Sequence, residues 1–137
     1  IYLPKDVRAP FGDPLTATGP AVLEVFSNPT MYAGKSLPVI GDIISPQEMV
    51  DTFIEVTGKK AVYSSAFSQE ELTNHFPEIG SNETLMREIL GMAEYAVEYG
   101  YFSKGRDLNW SRQTNPNTLT WEQFLRTTGW KGEKLSY

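Results

Sequence analysis

Apolar residues recur along this chain mostly at helical spacing, and polar signals mark where the helices begin and end. Trp121, Phe124, Leu125 and Thr128 fall at i, i+3, i+4 and i+7, which gathers them into one stripe that has to be buried. Thr120 stands as a cap at the amino end, Gln123 completes a capping box, and Gly129 suits the left-handed residue that stops a helix. Ser45-Pro46-Gln47-Glu48 writes a second start, with Met49, Val50, Phe53 and Ile54 as its buried face and Gly58 as its end. Ser68-Gln69-Glu70-Glu71 opens a short third helix with the same box. Asn82 or Ser81 caps a long one over 83–101, whose inner stripe is Leu85, Ile89, Met92, Ala93 and Ala96. Gly91 in its middle costs about 1 kcal/mol relative to alanine and predicts a close helix contact there. A short helix is predicted over 19–27, with Val22, Leu23 and Phe26 on one face and Asn28-Pro29 ending it.

Two runs read as strands, 37–40 and 60–66, the second apolar and aromatic in alternation. Strand, helix, strand at this spacing predicts a βαβ unit, its strands parallel through a right-handed crossover. The fold class expected is therefore α+β, a small parallel sheet surrounded by helices. Residues 1–18 form a Pro/Gly-rich leader in which Pro4, Pro10, Gly12 and Pro14 break regular structure, and 19–137 form the domain proper.

Composition is that of an ordinary globular chain: 137 residues, 40% hydrophobic and 12% aromatic, enough to bury a core without covalent staples. The absence of cysteine excludes disulfides, thiol catalysis and cysteine metal sites. No apolar run reaches the length of a membrane span. A net charge of -5 argues against nucleic acid as a general partner. Acidic residues dominate from Asp42 to Glu98 and basic ones from Tyr99 onward, which reads first as solvated helix faces and a mildly cationic tail; the sharper alternative is that Lys104, Arg106 and Arg112 draw an anionic ligand or an acidic surface.

Residues able to carry chemistry are few. His75 is the single histidine, and without clustered ligands or a neighbouring nucleophile it reads as structural or exposed. Glu94 and Glu98, one helical turn apart, read as a solvated face, and one histidine gives a metal site too few partners. Tyr95, Tyr99, Tyr101 and Phe102 gather at the end of the long helix beside Lys104-Gly105-Arg106. An aromatic wall next to cationic groups suits a planar or quinone-like molecule. The candidate substrate-binding residues are Tyr95, Tyr99, Tyr101, Trp110 and Arg112.

Taken in order, the Gly-Pro helix that follows Asp13, Asn28-Pro29, Tyr32-Ala33-Gly34-Lys35, Val56-Thr57-Gly58-Lys59-Lys60, Thr120-Trp121-Glu122-Gln123-Phe124-Leu125 and Gly129-Trp130 form a succession. It resembles the carboxy-terminal part of an NmrA-like protein, of the kind common in filamentous fungi. That family belongs to the atypical short-chain dehydrogenase/reductases of the Rossmann superfamily, and the resemblance runs from about Gly19 to Trp130. It implies, for a complete member, NADP(H) binding with either reduction of a small carbonyl or quinone substrate or redox sensing through a protein partner. It also implies that Asp13 caps the helix lying along the nucleotide domain.

The parts that hydride chemistry needs are missing from the text. No G-x-G-x-x-G turn is present to cradle a dinucleotide pyrophosphate. Tyr32 with Lys35 and Tyr101 with Lys104 are each one residue short of the Tyr-x-x-x-Lys pair. The chain therefore reads as the substrate-side lobe, without a cofactor of its own, whose partner is the absent nucleotide-binding half or another subunit. Tyr95, Tyr99 and Tyr101 would then be packing surface for that half, and the helix over 19–26 would expose an apolar face. Two other readings stay open: a stand-alone cofactor-free isomerase or cyclase, with a closed pocket that includes Tyr95, Tyr99 and Trp110, and a family remnant without independent function. Whether the chain is a fragment or a natural short protein is open as well. The compartment expected is the cytoplasm or the nucleus.

Overall fold

The computed structural model describes residues 3–101 and 109–133. In chain order the elements are β1 (Ala9–Phe11), α1 (Pro14–Ser27), α2 (Pro29–Tyr32), β2 (Asp42–Ile44), α3 (Pro46–Thr57), α4 (Gln69–His75), α5 (Pro77–Gly80), α6 (Glu83–Tyr99), α7 (Trp110–Thr114) and α8 (Trp121–Thr128).

The helix boundaries follow local chemistry. Ser45, Ser68 and Thr120 each accept from the backbone of the third helical residue, and Glu48, Glu71 and Gln123 answer to the cap's own amide. Three capping boxes thus satisfy amides that would otherwise lack partners. Hydrogen bonding holds two of these carboxylates below the ordinary value of 4.5. For Glu48 the main cause is the Ser45 backbone amide, and for Glu71 the Ser65 hydroxyl. Gly58 and Gly129 end α3 and α8 at φ 69° and 66°, the left-handed region that glycine enters without a Cβ penalty. Asn82 caps α6 through the Leu85 amide.

The only sheet among the described residues is an antiparallel ribbon, β1 on β2, in register Ala9 with Ile44, Pro10 with Ile43 and Phe11 with Asp42. This corrects the expected parallel βαβ sheet, and the reason lies in where the two predicted strands find their partners. In 37–40 the Ser111 hydroxyl does the work of a neighbouring strand. It receives the Ile40 amide at 2.8 Å and donates to the Pro38 carbonyl at 2.5 Å. In 60–66 the Tyr63 hydroxyl donates to the Leu3 carbonyl at 2.7 Å and Ser65 to Glu71 at 2.7 Å. Side chains tie both segments down, and neither forms a ladder.

The amino-terminal stretch also departs from expectation. It contributes β1, with Pro10 tolerated because a two-stranded ribbon is all edge, and it opens α1 at Pro14. Asp13 accepts from the Leu15 amide at 3.2 Å and the Thr16 hydroxyl at 2.8 Å, so the cap sits well before Gly19. Position 19 has no side chain with which to compete. Pro20 is carried inside the helix.

Packing divides in two. Ala66, Leu72 and Met86 form a small core, with Ile79, Ile89 and Leu90 packed against it. The buried stripe of α6 is Met86, Ala93 and Ala96, and Leu85 and Met92, expected inside, are exposed. On the other side α3 rests on α8. Trp121 donates its indole N–H to the Met49 carbonyl at 2.9 Å, and the Phe53 and Trp121 rings both meet Trp130 edge-on.

Candidate functional site

The five aromatic and cationic residues singled out from the sequence lie in two places. Tyr95 and Tyr99 stand one turn apart on α6 with ring centroids 4.9 Å apart, and both are exposed. Beside them a broad open groove of about 780 Å³ runs along the helix between Arg87, Met92, Tyr95 and Tyr101. Gly91 lines it. A Cβ there would meet nothing within 4 Å, so Gly91 widens a groove, in place of the close helix contact its position predicts. Phe102, Lys104 and Arg106, expected to furnish the ledge with a ring and positive charge, lie outside the described residues.

Trp110 and Arg112 belong to α7 and point into the body of the protein. Trp110 is 8% exposed and packs edge-on against Tyr32 at 5.7 Å. The Tyr32 hydroxyl in turn donates to Glu24 at 2.9 Å. Arg112 is a clamp: its guanidinium donates to the Thr118 carbonyl and, at 2.6 Å, to the Gly41 carbonyl. A planar fork is suited to bridging two carbonyls from separate segments. Asn115 adds a bond to the Thr16 carbonyl at 2.8 Å. One short helix thus ties α1, the entry to β2 and the entry to α8 together.

What the clamp holds is a second cavity, about 400 Å³, that the sequence did not disclose. Its apolar walls are Phe11, Leu15, Met49, Leu119, Trp121 and Phe124, and Asp13, Asp42 and Thr120 supply its polar groups. Gly41 makes the arrangement possible. A Cβ on it would stand 2.4 Å from the Leu119 carbonyl oxygen and 3.3 Å from the Cα of Gly12, so only glycine lets the three chain segments approach this closely. Asp42 reaches across to accept from the Trp121 amide at 3.1 Å and supplements Thr120 at the amino end of α8, where negative charge is favoured. Trp121 and Phe124 lie nearly parallel, 11° apart with centroids at 5.8 Å. Periodicity alone had assigned both rings to core; the burial of Leu125 fits that assignment, whereas Trp121 and Phe124 also face this cavity.

Smaller constellations are simpler. The His75 Nε2 and Ser64 Oγ are 2.9 Å apart, a pair sequence separation had hidden, but both side chains are exposed and neither lines either cavity. Glu94 and Glu98 are exposed on α6. Among the described residues no group of three or more metal-binding side chains comes together, and no helix is long and apolar enough to cross a membrane.

The side-chain-capped ends of α1, α3, α6 and α8 do not fit a dinucleotide pyrophosphate. Such a group needs free amides and room for its oxygens, whereas Asp13, Ser45, Asn82 and Thr120 occupy the amino ends of α1, α3, α6 and α8.

The model of the NmrA-like family matches residues 3–125. The chain belongs to that family, whose members typically bind NAD(P) and include redox sensors and reductase-like proteins. No curated protein and no solved structure matches the chain.

Proposed function

We propose that this chain is the substrate- or partner-binding lobe of an NmrA-like NADP(H)-dependent reductase or redox sensor, unable to transfer hydride by itself. The observation that carries this reading is the face of α1. Leu15, Val22, Leu23 and Phe26 recur at helical spacing, and Leu15, Leu23 and Phe26 are 90%, 68% and 76% exposed. A contiguous apolar stripe of this kind marks a surface built to be covered. On α6, Leu85, Met92, Tyr95 and Tyr99 form a second exposed stripe. In the lobe reading, the dinucleotide-binding half lies along these faces and brings the cofactor, and Tyr95, Tyr99 and Tyr101 close the interface or meet a planar substrate at its edge. This chain then contributes aromatic surface, exclusion of water and orientation, and the proton and hydride steps belong to the half that holds the nucleotide.

The test is to express the chain alone and together with the dinucleotide-binding half of a full-length NmrA-like protein, and to titrate each with NADPH. The expected result is a complex that binds NADPH while the chain alone does not. NADPH binding by the chain alone, or failure of the two parts to associate, would overturn the reading.

A further inference from the structure

We propose that the cavity between β1, α3 and α8 binds a small organic cation, an alkyl- or arylammonium with an apolar body. The inference does not need the lobe reading, since every wall of the cavity comes from this chain, although Leu15 at its rim belongs also to the exposed face of α1.

Four observations select the ligand class. The first is size and lining: about 400 Å³, walled by Phe11, Met49, Trp121 and Phe124, lies toward the small end of the range for small-molecule sites. The second is the state of the aromatic wall. The indole N–H of Trp121 is spent on the Met49 carbonyl and Trp130 braces the ring edge-on. What Trp121 and Phe124 offer a ligand is therefore π surface in a fixed orientation, the arrangement that attracts cations.

The third is charge. Asp13 and Asp42 are the only charged residues in the lining, and neither has an ion-pair partner among the described residues. Each carboxylate accepts two protein hydrogen bonds out of about four lone-pair sites, so acceptor capacity remains for an ammonium group. Arg112, the cation behind this wall, is committed to the Gly41 and Thr118 carbonyls. The fourth observation separates this site from an anion site, for which the nearby amino ends of α1 and α8 would otherwise be suited. Leu15, Trp121 and Gln123 donate their amides to Asp13, Asp42 and Thr120, and Thr16 and Ala17 donate theirs to the Asp13 carbonyl. An anion entering here would meet two carboxylates and few free donors.

The experiment titrates the whole chain, nitrogen-15 labelled, with phenethylammonium chloride, with its neutral isostere 2-phenylethanol and with phenylacetate, and follows the Trp121 indole and Leu15 amide signals. Phenethylammonium is expected to shift both and to bind about tenfold or more tightly than 2-phenylethanol, with phenylacetate weaker still. Asp13→Asn with Asp42→Asn keeps oxygen acceptors for both helix ends, since asparagine caps as well as aspartate. This pair should abolish the preference for the cation over 2-phenylethanol. Equal binding of the charged and neutral compounds to the unaltered chain would overturn the proposal without reference to any variant. So would preferred binding of phenylacetate, shifts confined to other residues, or a cation preference that survives both substitutions in a folded protein.

Discussion

The two halves of this molecule are held by different means. Around β1, β2, α7 and α8, distant segments are joined by polar bonds of defined geometry: Ser111 to Pro38 and Ile40, Arg112 to Gly41 and Thr118, Asn115 to Thr16, Asp42 to Trp121. Around α4, α5 and α6 a small apolar core does the work, centred on Leu72, while much of α6 and nearly the whole apolar face of α1 remain open. Directional bonds fix positions, and the smaller cavity sits where they converge. Apolar stripes without partners fix nothing until something covers them.

Substitutions can break this contrast. The largest effects are expected at Gly41 and Arg112. Gly41→Ala forces a Cβ onto the Leu119 carbonyl, and Arg112→Ala strips two carbonyls of a charged donor. Each should cost about 3 kcal/mol, measured by urea denaturation, and should collapse the environment of Trp121. Arg112→Lys should recover only part of the loss, because one ammonium does not reproduce the fork.

Leu72→Ala should cost a similar or slightly smaller amount, about 2–3 kcal/mol, since it empties a fully buried position. Its signature differs: amide exchange should rise across α4–α6 while the Trp121 indole signal stays in place. If Leu72→Ala and Arg112→Ala disturbed the same residues, the division into two differently held halves would fail.

Leu23→Lys with Phe26→Lys should change stability by less than about 0.5 kcal/mol, because both residues are exposed. The isolated chain should self-associate through this exposed face in sedimentation velocity, and the pair should remove that association. The smallest effect is that of acid. Glu48 and Glu71 titrate below 4.5 in the folded chain, so the stability they contribute is complete above that value and is lost as pH falls through their lowered values. Helicity at α3 and α4 should be flat from pH 7 to about pH 5 and decline below about pH 4.5. Glu48→Gln with Glu71→Gln should flatten that decline.

Much of the helical framework was legible in the sequence because caps are local: Ser45, Ser68, Thr120, Gly58 and Gly129 act on residues within one turn. The sheet was not. Whether 37–40 becomes a strand depends on Ser111, more than seventy residues away, and no pattern within the segment records that. The helix predicted over 19–27 starts at Pro14 instead, because the Asp13 side chain reaches the Leu15 amide. The cavity was hidden for a related reason. Trp121 reads as core, and nothing in the sequence ties Asp42 to it, until Gly41 brings Leu119 and Gly12 together around them. Arg112 looked like a ligand-binding cation because its carbonyl partners come from other segments.

The central claim, that α1 and α6 carry faces built for a dinucleotide-binding half, is tested most directly by hydrogen exchange of this chain with and without that half from a full-length NmrA-like protein. The account predicts new protection along α1 and α6, with α3 and α8 unchanged. Protection confined to α3 and α8, or none at all when the two parts are mixed, would contradict it.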